Sequence, residues 1–212
     1  MSETRRQESG AAGQKCPLVL VVGGASSGKS LLAERCAAGL AERRLYVATM
    51  KVFDRESERR VAEHRARRGE GWQTAEACAD LAGALNSCPE AGVVLVDSFG
   101  VWLAGMLAGV YEPAAGRAED SSPEQAETEM DARESGLAER LDAFARALEE
   151  RTRPVVVVSD EAGLGLVPAD RLSRRFRDLL GRANRRLAGI ADSVFFVSCG
   201  LPLRLKGEGS LL

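Results

Sequence analysis

An apolar run, Leu18-Val19-Leu20-Val21-Val22, passes directly into Gly23-Gly24-Ala25-Ser26-Ser27-Gly28-Lys29-Ser30 and then into good helix formers from Leu31 to Ala38. A buried strand, a glycine-rich turn and a helix in that order restrict the fold more than any other feature of the chain. The middle segment fits G-x-x-x-x-G-K-[ST]. In such a loop the backbone N–H groups converge on phosphate oxygens, Lys29 reaches the β- and γ-phosphates, and Ser30 offers its hydroxyl to Mg²⁺. The positive end of the following helix points at the same anion. The expectation is a nucleoside triphosphate site inside an α/β fold, not a chance glycine-serine turn.

Composition narrows the class. The chain has 212 residues, 45% hydrophobic and 5% aromatic, which suits one sheet covered by helices. One domain is expected over 17–207, after a disordered extension at 1–16 and before a flexible tail at 208–212. Lys+Arg 29 against Asp+Glu 31 leaves a net charge of −2, so nothing pulls the chain generally toward nucleic acid or anionic lipid. No apolar run approaches the ~18 residues of a membrane span, and the polar N-terminus lacks the apolar core of a signal peptide. The five cysteines are widely spaced and include no C-x-x-C, which points to a reducing cytoplasm without a disulfide framework or zinc site.

Short apolar runs at 45–49, 93–96, 155–159 and 194–197 alternate with helical stretches near 29–41, 55–68, 78–86, 100–108, 128–151 and 170–189. This alternation predicts a mostly parallel, doubly wound central sheet flanked by helices; with the P-loop and the resemblance given below, the fold expected is a RecA-like P-loop α/β fold. A polar, Pro- and Gly-punctuated stretch within about 110–130 reads as a long surface loop. On the helix near 171–187, Leu172, Phe176, Leu179, Ala183 and Leu187 make a core stripe and leave the arginines on other faces.

Ligands of open parallel sheets sit at the carboxyl edge, so the residue after each strand matters most. Val93 to Val96 ends in Asp97, which suits a Walker B carboxylate holding Mg²⁺ beside Ser30; the alternative is an Asp that caps the next helix. The turn from Ser159 to Pro168 carries Asp160, Glu161, Gly163 and Gly165, acids able to bind metal or take a proton, in a pattern that structural turns also use. The charged helix over 54–69 contains His64, the chain's one histidine, followed by Arg65, Arg67 and Arg68. Guanidinium groups gather polyphosphate and a neutral imidazole is a competent nucleophile, although a solvated surface histidine would look the same.

The P-loop is followed by Tyr46-Val47-Ala48-Thr49, by Arg60-Val61-Ala62-Glu63-His64-Arg65-x-x-Arg68-Gly69-x-x-Trp72-x-Thr74-x-Glu76 and by Glu161-x-Gly163-x-Gly165-x-Val167-Pro168, and the His64-Arg65-x-x-Arg68-Gly69 and Glu161-to-Pro168 segments in that order behind a P-loop are specific. With Asp97-Ser98-x-x-x-Trp102-Leu103, Arg175-Phe176-Arg177-Asp178 and Gly200-Leu201-Pro202-Leu203, the chain resembles the bifunctional adenosylcobinamide kinase / adenosylcobinamide-phosphate guanylyltransferase family of cobalamin biosynthesis. The resemblance runs from about Leu18 to Gly207 and omits the tails and the 110–130 loop.

That resemblance implies a set of roles. His64 takes GMP from GTP with loss of pyrophosphate and passes it to adenosylcobinamide phosphate, while a separate kinase reaction, fed by GTP or ATP, phosphorylates adenosylcobinamide. Lys29, Arg65, Arg68 and a Mg²⁺ on Ser30 and Asp97 would stabilise the phosphoryl charge. Ala48, Thr49, Glu76 and Glu161 join the nucleotide site by their place in the motifs. A homotrimer with neither nucleic acid nor a membrane as partner is also implied. The helix over 55–68 is expected to swing His64, about 14 Å along it, toward the α-phosphate. The chain departs from the family pattern at Ser26 (usually Arg), near Gly100 (Thr) and Gly105 (Asn), at Asp160 (Asn) and at Arg185 (Gln). Two other readings remain beside this one: a plain P-loop small-molecule kinase in which His64 is a bystander, and a degenerate GTP-binding regulatory module.

Overall fold

The computed structural model describes residues 16–50, 55–76, 80–111 and 123–208. In chain order its elements are β1 Leu18–Gly23, α1 Lys29–Leu40, β2 Arg44–Ala48, α2 Arg55–Arg68, β3 Trp72–Glu76, α3 Leu81–Ala84 and β4 Val93–Asp97. There follow α4 Phe99–Tyr111, α5 Pro123–Glu149, β5 Val155–Asp160, α6 Arg171–Ile190, β6 Ser193–Ser198 and β7 Leu201–Lys206. The strands form one sheet in the order β3-β2-β4-β5-β1-β6-β7, with β1 to β6 parallel and β7 antiparallel to β6. Strand β5 separates the P-loop strand β1 from the carboxylate strand β4. This is the mostly parallel, helix-flanked architecture that the alternating pattern predicts, in the expected RecA-like arrangement.

The central strands are uninterrupted Val/Leu runs because both faces of the sheet are covered. Leu18, Leu20, Val22, Val94, Val96, Val155 and Val157 point to one face, under α3, α4, α5 and α6. On that side Phe99 stacks on Phe144 with ring centroids 5.6 Å apart, and both are buried. Val19, Val21, Val93, Leu95, Val156 and Val158 point to the other face, under Leu32, Ala33, Cys36 and Ala37 of α1.

Two strands lie outside the predicted set, and both are edges. β3 is short and largely exposed, so Trp72-Gln73-Thr74-Ala75-Glu76 carries little apolar signal. β7 contains Pro202, a residue tolerated at a sheet edge but not in a central ladder, and its leucines alternate onto an exposed face. The helix expected at 78–86 is the short α3. The loop expected over about 110–130 ends earlier, because α5 already begins at Pro123, a residue preset for a first helical turn. Part of that loop, like the two tails, falls outside the described residues.

Candidate active site

All six parallel strands deliver their last residues to one edge, and there the P-loop is shaped by close packing. A Cβ on Gly23 would sit 2.6 Å from both Ser27 Oγ and the Val197 carbonyl, so no larger residue fits where β1 turns out of the sheet. Gly28 has φ of 93°, and a Cβ on it would lie 3.2 Å from the Gly200 Cα, while the Gly200 N–H donates to the Ser27 carbonyl at 2.9 Å. The β6–β7 turn therefore buttresses the loop. Ser26 takes φ of 55°, and Ala25 and Ser26 stand exposed, whereas Gly24 is half-buried and Ser27 is buried. Lys29 folds back over the loop, donating to the Gly24 carbonyl at 3.0 Å and pairing with Asp160 Oδ1 at 3.0 Å.

Asp97 lies at the end of β4, in register with Ala48 of β2, which in turn pairs with Glu76 of β3. Its carboxylate accepts the Ser30 hydroxyl at 3.3 Å and the buried Tyr46 hydroxyl at 3.2 Å. It does not cap the next helix. Ser98 does that, its Oγ accepting the Val101 N–H at 3.1 Å. Burial pushes the Asp97 carboxyl up from its ordinary value, against the opposing pull of Ser30, His64 and Tyr46, and burial with the neighbouring Asp97 charge pushes the Tyr46 hydroxyl up as well. Ser30 and Asp97 thus bring a hydroxyl and a buried carboxyl, two hard oxygen donors, side by side. That pair suits Mg²⁺, which takes one or two protein oxygens and completes its octahedron with water and phosphate.

His64 belongs to the same group. Its Nδ1 lies 3.9 Å from Asp97 Oδ2, with the side chain 32% exposed, so the ring already faces the P-loop end of the sheet and not bulk solvent. The placement follows from α2. His64, Arg67 and Arg68 are three and four residues apart and share one helical face. Arg67 grips the buried Glu34 of α1 with two 2.9 Å hydrogen bonds, and Arg68 stacks over the Tyr46 ring at 3.4 Å. Arg68 Nη1 is buried with no hydrogen-bond partner among the described residues, whereas Arg65 is exposed.

Other expected residues play different parts. Thr49 is buried, and its hydroxyl donates to the Ser98 carbonyl at 2.8 Å, tying the end of β2 to that of β4. Glu76 is exposed at the sheet edge. Glu161 turns onto its own loop, where its carboxylate accepts the Gly163 N–H, and the neighbour that reaches the P-loop is Asp160. The contacts Lys29–Asp160, Tyr46–Asp97, Arg67–Glu34 and Ser98–Asp160 each join residues far apart in the chain, so no local spacing announces them.

A family profile described as cobinamide kinase / cobinamide phosphate guanyltransferase matches residues 19–205. The chain is 39% identical over 190 residues to the bifunctional adenosylcobalamin biosynthesis protein CobP of Pseudomonas aeruginosa, covering 89% of this chain and 97% of that protein. It is 33% identical to the bifunctional adenosylcobalamin biosynthesis protein CobU of Salmonella typhimurium, covering 89% of this chain and 99% of that protein. With CobU of Escherichia coli the identity is 32%, again over 89% of this chain and 99% of the other. Among the described residues no helix is long and apolar enough to cross a membrane. A P-loop on a parallel sheet and a match along nearly the whole chain lead to one statement: this chain belongs to the cobinamide kinase / cobinamide phosphate guanyltransferase family of nucleotide-using enzymes.

Proposed function

We propose that the chain, acting as one domain over about 17–207, is a bifunctional enzyme. It phosphorylates adenosylcobinamide and transfers GMP from GTP, through His64, to adenosylcobinamide phosphate. The observation that carries this reading is the His64 ring at 3.9 Å from Asp97, a carboxylate that is itself hydrogen-bonded to Ser30 of the P-loop.

In the guanylyl transfer, His64 Nε2, the ring nitrogen away from Asp97, attacks the α-phosphorus of GTP. An N–P bond forms, the bond to the bridging oxygen breaks, and pyrophosphate carries away the electron pair. The positive charge that develops on the imidazole is held by the Asp97 carboxylate beside Nδ1. The phosphate oxygen of adenosylcobinamide phosphate then attacks the same phosphorus, the N–P bond breaks, and adenosylcobinamide-GDP leaves with a neutral imidazole behind it. In the kinase step the substrate hydroxyl attacks the γ-phosphorus, the bond to the β–γ bridging oxygen breaks so that the nucleoside diphosphate departs with its electron pair, and the hydroxyl proton passes to water. Lys29 binds the β- and γ-phosphates in both reactions. Ser30 and Asp97 would hold Mg²⁺, which when bound supplies charge neutralisation along the triphosphate. Arg68, whose Nη1 has no hydrogen-bond partner among the described residues, and Arg65 add positive charge on the His64 side. Ala48, Thr49, Glu76 and Glu161 are read as framing the nucleotide.

We also read the active form as a homo-oligomer, a trimer on the family pattern. Leu201, Leu203 and Leu205 lie 61–72% exposed on one face of the edge strand β7, which suits contact with a second copy. Free Cys16, Cys36, Cys88 and Cys199 fit a reducing cytoplasm.

The test is intact mass and peptide mapping after incubation with GTP and Mg²⁺, quenched without acid because a phosphoramidate hydrolyses at low pH. A GMP adduct on His64, absent in His64→Ala and discharged by adenosylcobinamide phosphate, is expected. GTP binding with no adduct, and kinase turnover untouched in His64→Ala, would sink the transferase half.

A further inference from the structure

Lys29 is not free to meet a triphosphate. Its ammonium is 3.0 Å from Asp160 Oδ1 and 3.0 Å from the Gly24 carbonyl, and the lysine side chain is only 12% exposed. The carboxylate is fixed from its other side, because Ser98 Oγ donates to Asp160 Oδ2 at 3.0 Å while accepting the Val101 N–H that begins α4. The backbone is fixed as well. Asp160 is in register with Gly23 of β1, and its carbonyl accepts the Asn184 side-chain N–H at 2.9 Å. Room for the carboxylate comes from Gly100, where a Cβ would lie 2.3 Å from Asp160 Oδ2. Gly100 and Asp160 are therefore one structural feature: the missing side chain on α4 makes the space that the carboxylate fills.

From this we infer that Asp160 is a positioning residue that sets the discrimination between triphosphate and monophosphate by competing with the β- and γ-phosphates for Lys29. The inference rests on Lys29 being the β/γ-phosphate ligand of the function proposed above. A bound triphosphate must draw the ammonium off Asp160 or share it, whereas GMP, whose single phosphate is the α, makes no demand on Lys29. The carboxylate thus lowers affinity for GTP and loosens pyrophosphate after transfer, and leaves the grip on GMP unchanged. An Asn at this position would offer Lys29 a neutral oxygen and give no such competition.

The experiment is calorimetric titration of the full-length protein, in Mg²⁺, with α,β-methylene-GTP, which resists transfer, and in parallel with GMP. Asp160→Asn is expected to tighten the triphosphate analogue about tenfold, between the values for an exposed ion pair and a desolvated one, and to leave GMP within about twofold. Gly100→Ala should do the same in the parent by pushing the carboxylate off Lys29, and should add nothing in the Asp160→Asn background. Unchanged or weaker binding of the analogue in Asp160→Asn, or equal tightening of GMP, overturns the inference. Lys29→Ala separates the two levels of argument. If that variant binds the analogue as well as the parent does, the P-loop reading itself fails; if it loses the analogue while Asp160→Asn changes nothing, only the role of Asp160 fails.

Discussion

Arg67→Ala tests how much of the placement of α2 depends on its ion pair with Glu34 of α1. The guanidinium makes two 2.9 Å hydrogen bonds to both oxygens of Glu34, whose side chain is 9% exposed against 40% for Arg67. Removing the arginine strands a carboxylate on α1 with water reaching it from one side only. Breaking a fully buried pair costs about 3–5 kcal/mol and an exposed one about 0.2–1, so this half-screened pair is worth about 1–2 kcal/mol. At ~2–4 °C per kcal/mol for a chain of this size, the melting temperature should fall by about 2–8 °C. Glu34→Gln keeps the shape without the charge and should lose less. In a double-mutant cycle with Glu34→Ala the coupling should recover most of the loss. The larger effect is functional. Arg67 lies one turn beyond His64 on the same face, so releasing it lets the imidazole drift from Asp97, and misplacement by about 1 Å can cost ~100-fold in rate. GMP loading of His64 at saturating GTP should drop by roughly tenfold or more while GTP affinity stays within about twofold. A melting temperature within about 1 °C of the parent, together with unchanged loading, would refute the anchoring role.

The remaining predictions concern the core, the buried carboxylate and the thiols. Phe144→Ala empties the stack against Phe99 and should cost about 3–5 kcal/mol, read as a large drop in the urea midpoint with an unchanged slope. Asp97→Asn should abolish Mg²⁺-dependent turnover and yet stabilise the fold. Because burial raises the Asp97 carboxyl, the folded state binds its proton more readily than the unfolded chain does. That stability is present at low pH and is lost as pH rises from the ordinary carboxylate value, near 4, toward the raised one. Melts in EDTA should therefore show the variant gaining on the parent as pH rises, and a gap constant with pH would contradict the argument. Burial also pushes the Cys36 thiol up, so maleimide at neutral pH should label the exposed Cys199 and spare Cys36 until the protein is unfolded.

What could be read from the sequence was local, and what could not was long-range or at an edge. β1, the P-loop and α1 are contiguous, so their periodicities and glycines specify them outright. β4 and β5 announce themselves by Val runs that only a sheet covered on both faces requires. The partners of the site residues carry no such signal. Asp97 and Ser98 are adjacent acid and hydroxyl residues at a helix start, and local chemistry does not decide which of them caps α4. In the fold Ser98 caps, because Asp97 is claimed by Ser30, 67 positions away, and by Tyr46, 51 positions away. The turn after β5 offers the same difficulty. Asp160 and Glu161 are chemically alike, and only the register of β5 beside β1 sets Asp160 against Lys29 while Glu161 folds onto Gly163. β3 and β7, half-paired edges with weak or Pro-interrupted patterns, were hidden for the same reason that edges generally are: less of each strand needs to be apolar.

The arrangement also makes the two proposed reactions unequal in what they require. Lys29 and Ser30 belong to the P-loop itself, and any transfer from a triphosphate, whether at the α- or the γ-phosphorus, leaves charge on oxygens that Lys29 must meet. His64 sits outside that core, on a helix held to α1 by Arg67 and to β2 by the Arg68–Tyr46 stack. Among the described residues its tie to the phosphate side is Asp97. Loss of Lys29 should therefore end both reactions together. Loss of His64 should end guanylyl transfer and leave phosphorylation of adenosylcobinamide at no less than about a third of the parent rate, since the imidazole is not a hydrogen-bond partner of Asp97 at 3.9 Å and its removal leaves the carboxylate's two hydroxyl donors in place. Steady-state kinase assays of His64→Ala and Lys29→Ala measure this directly. Equal collapse of the kinase in both variants would mean that the histidine takes part in the γ-phosphoryl transfer as well, and the division of labour between P-loop and α2 would have to be redrawn.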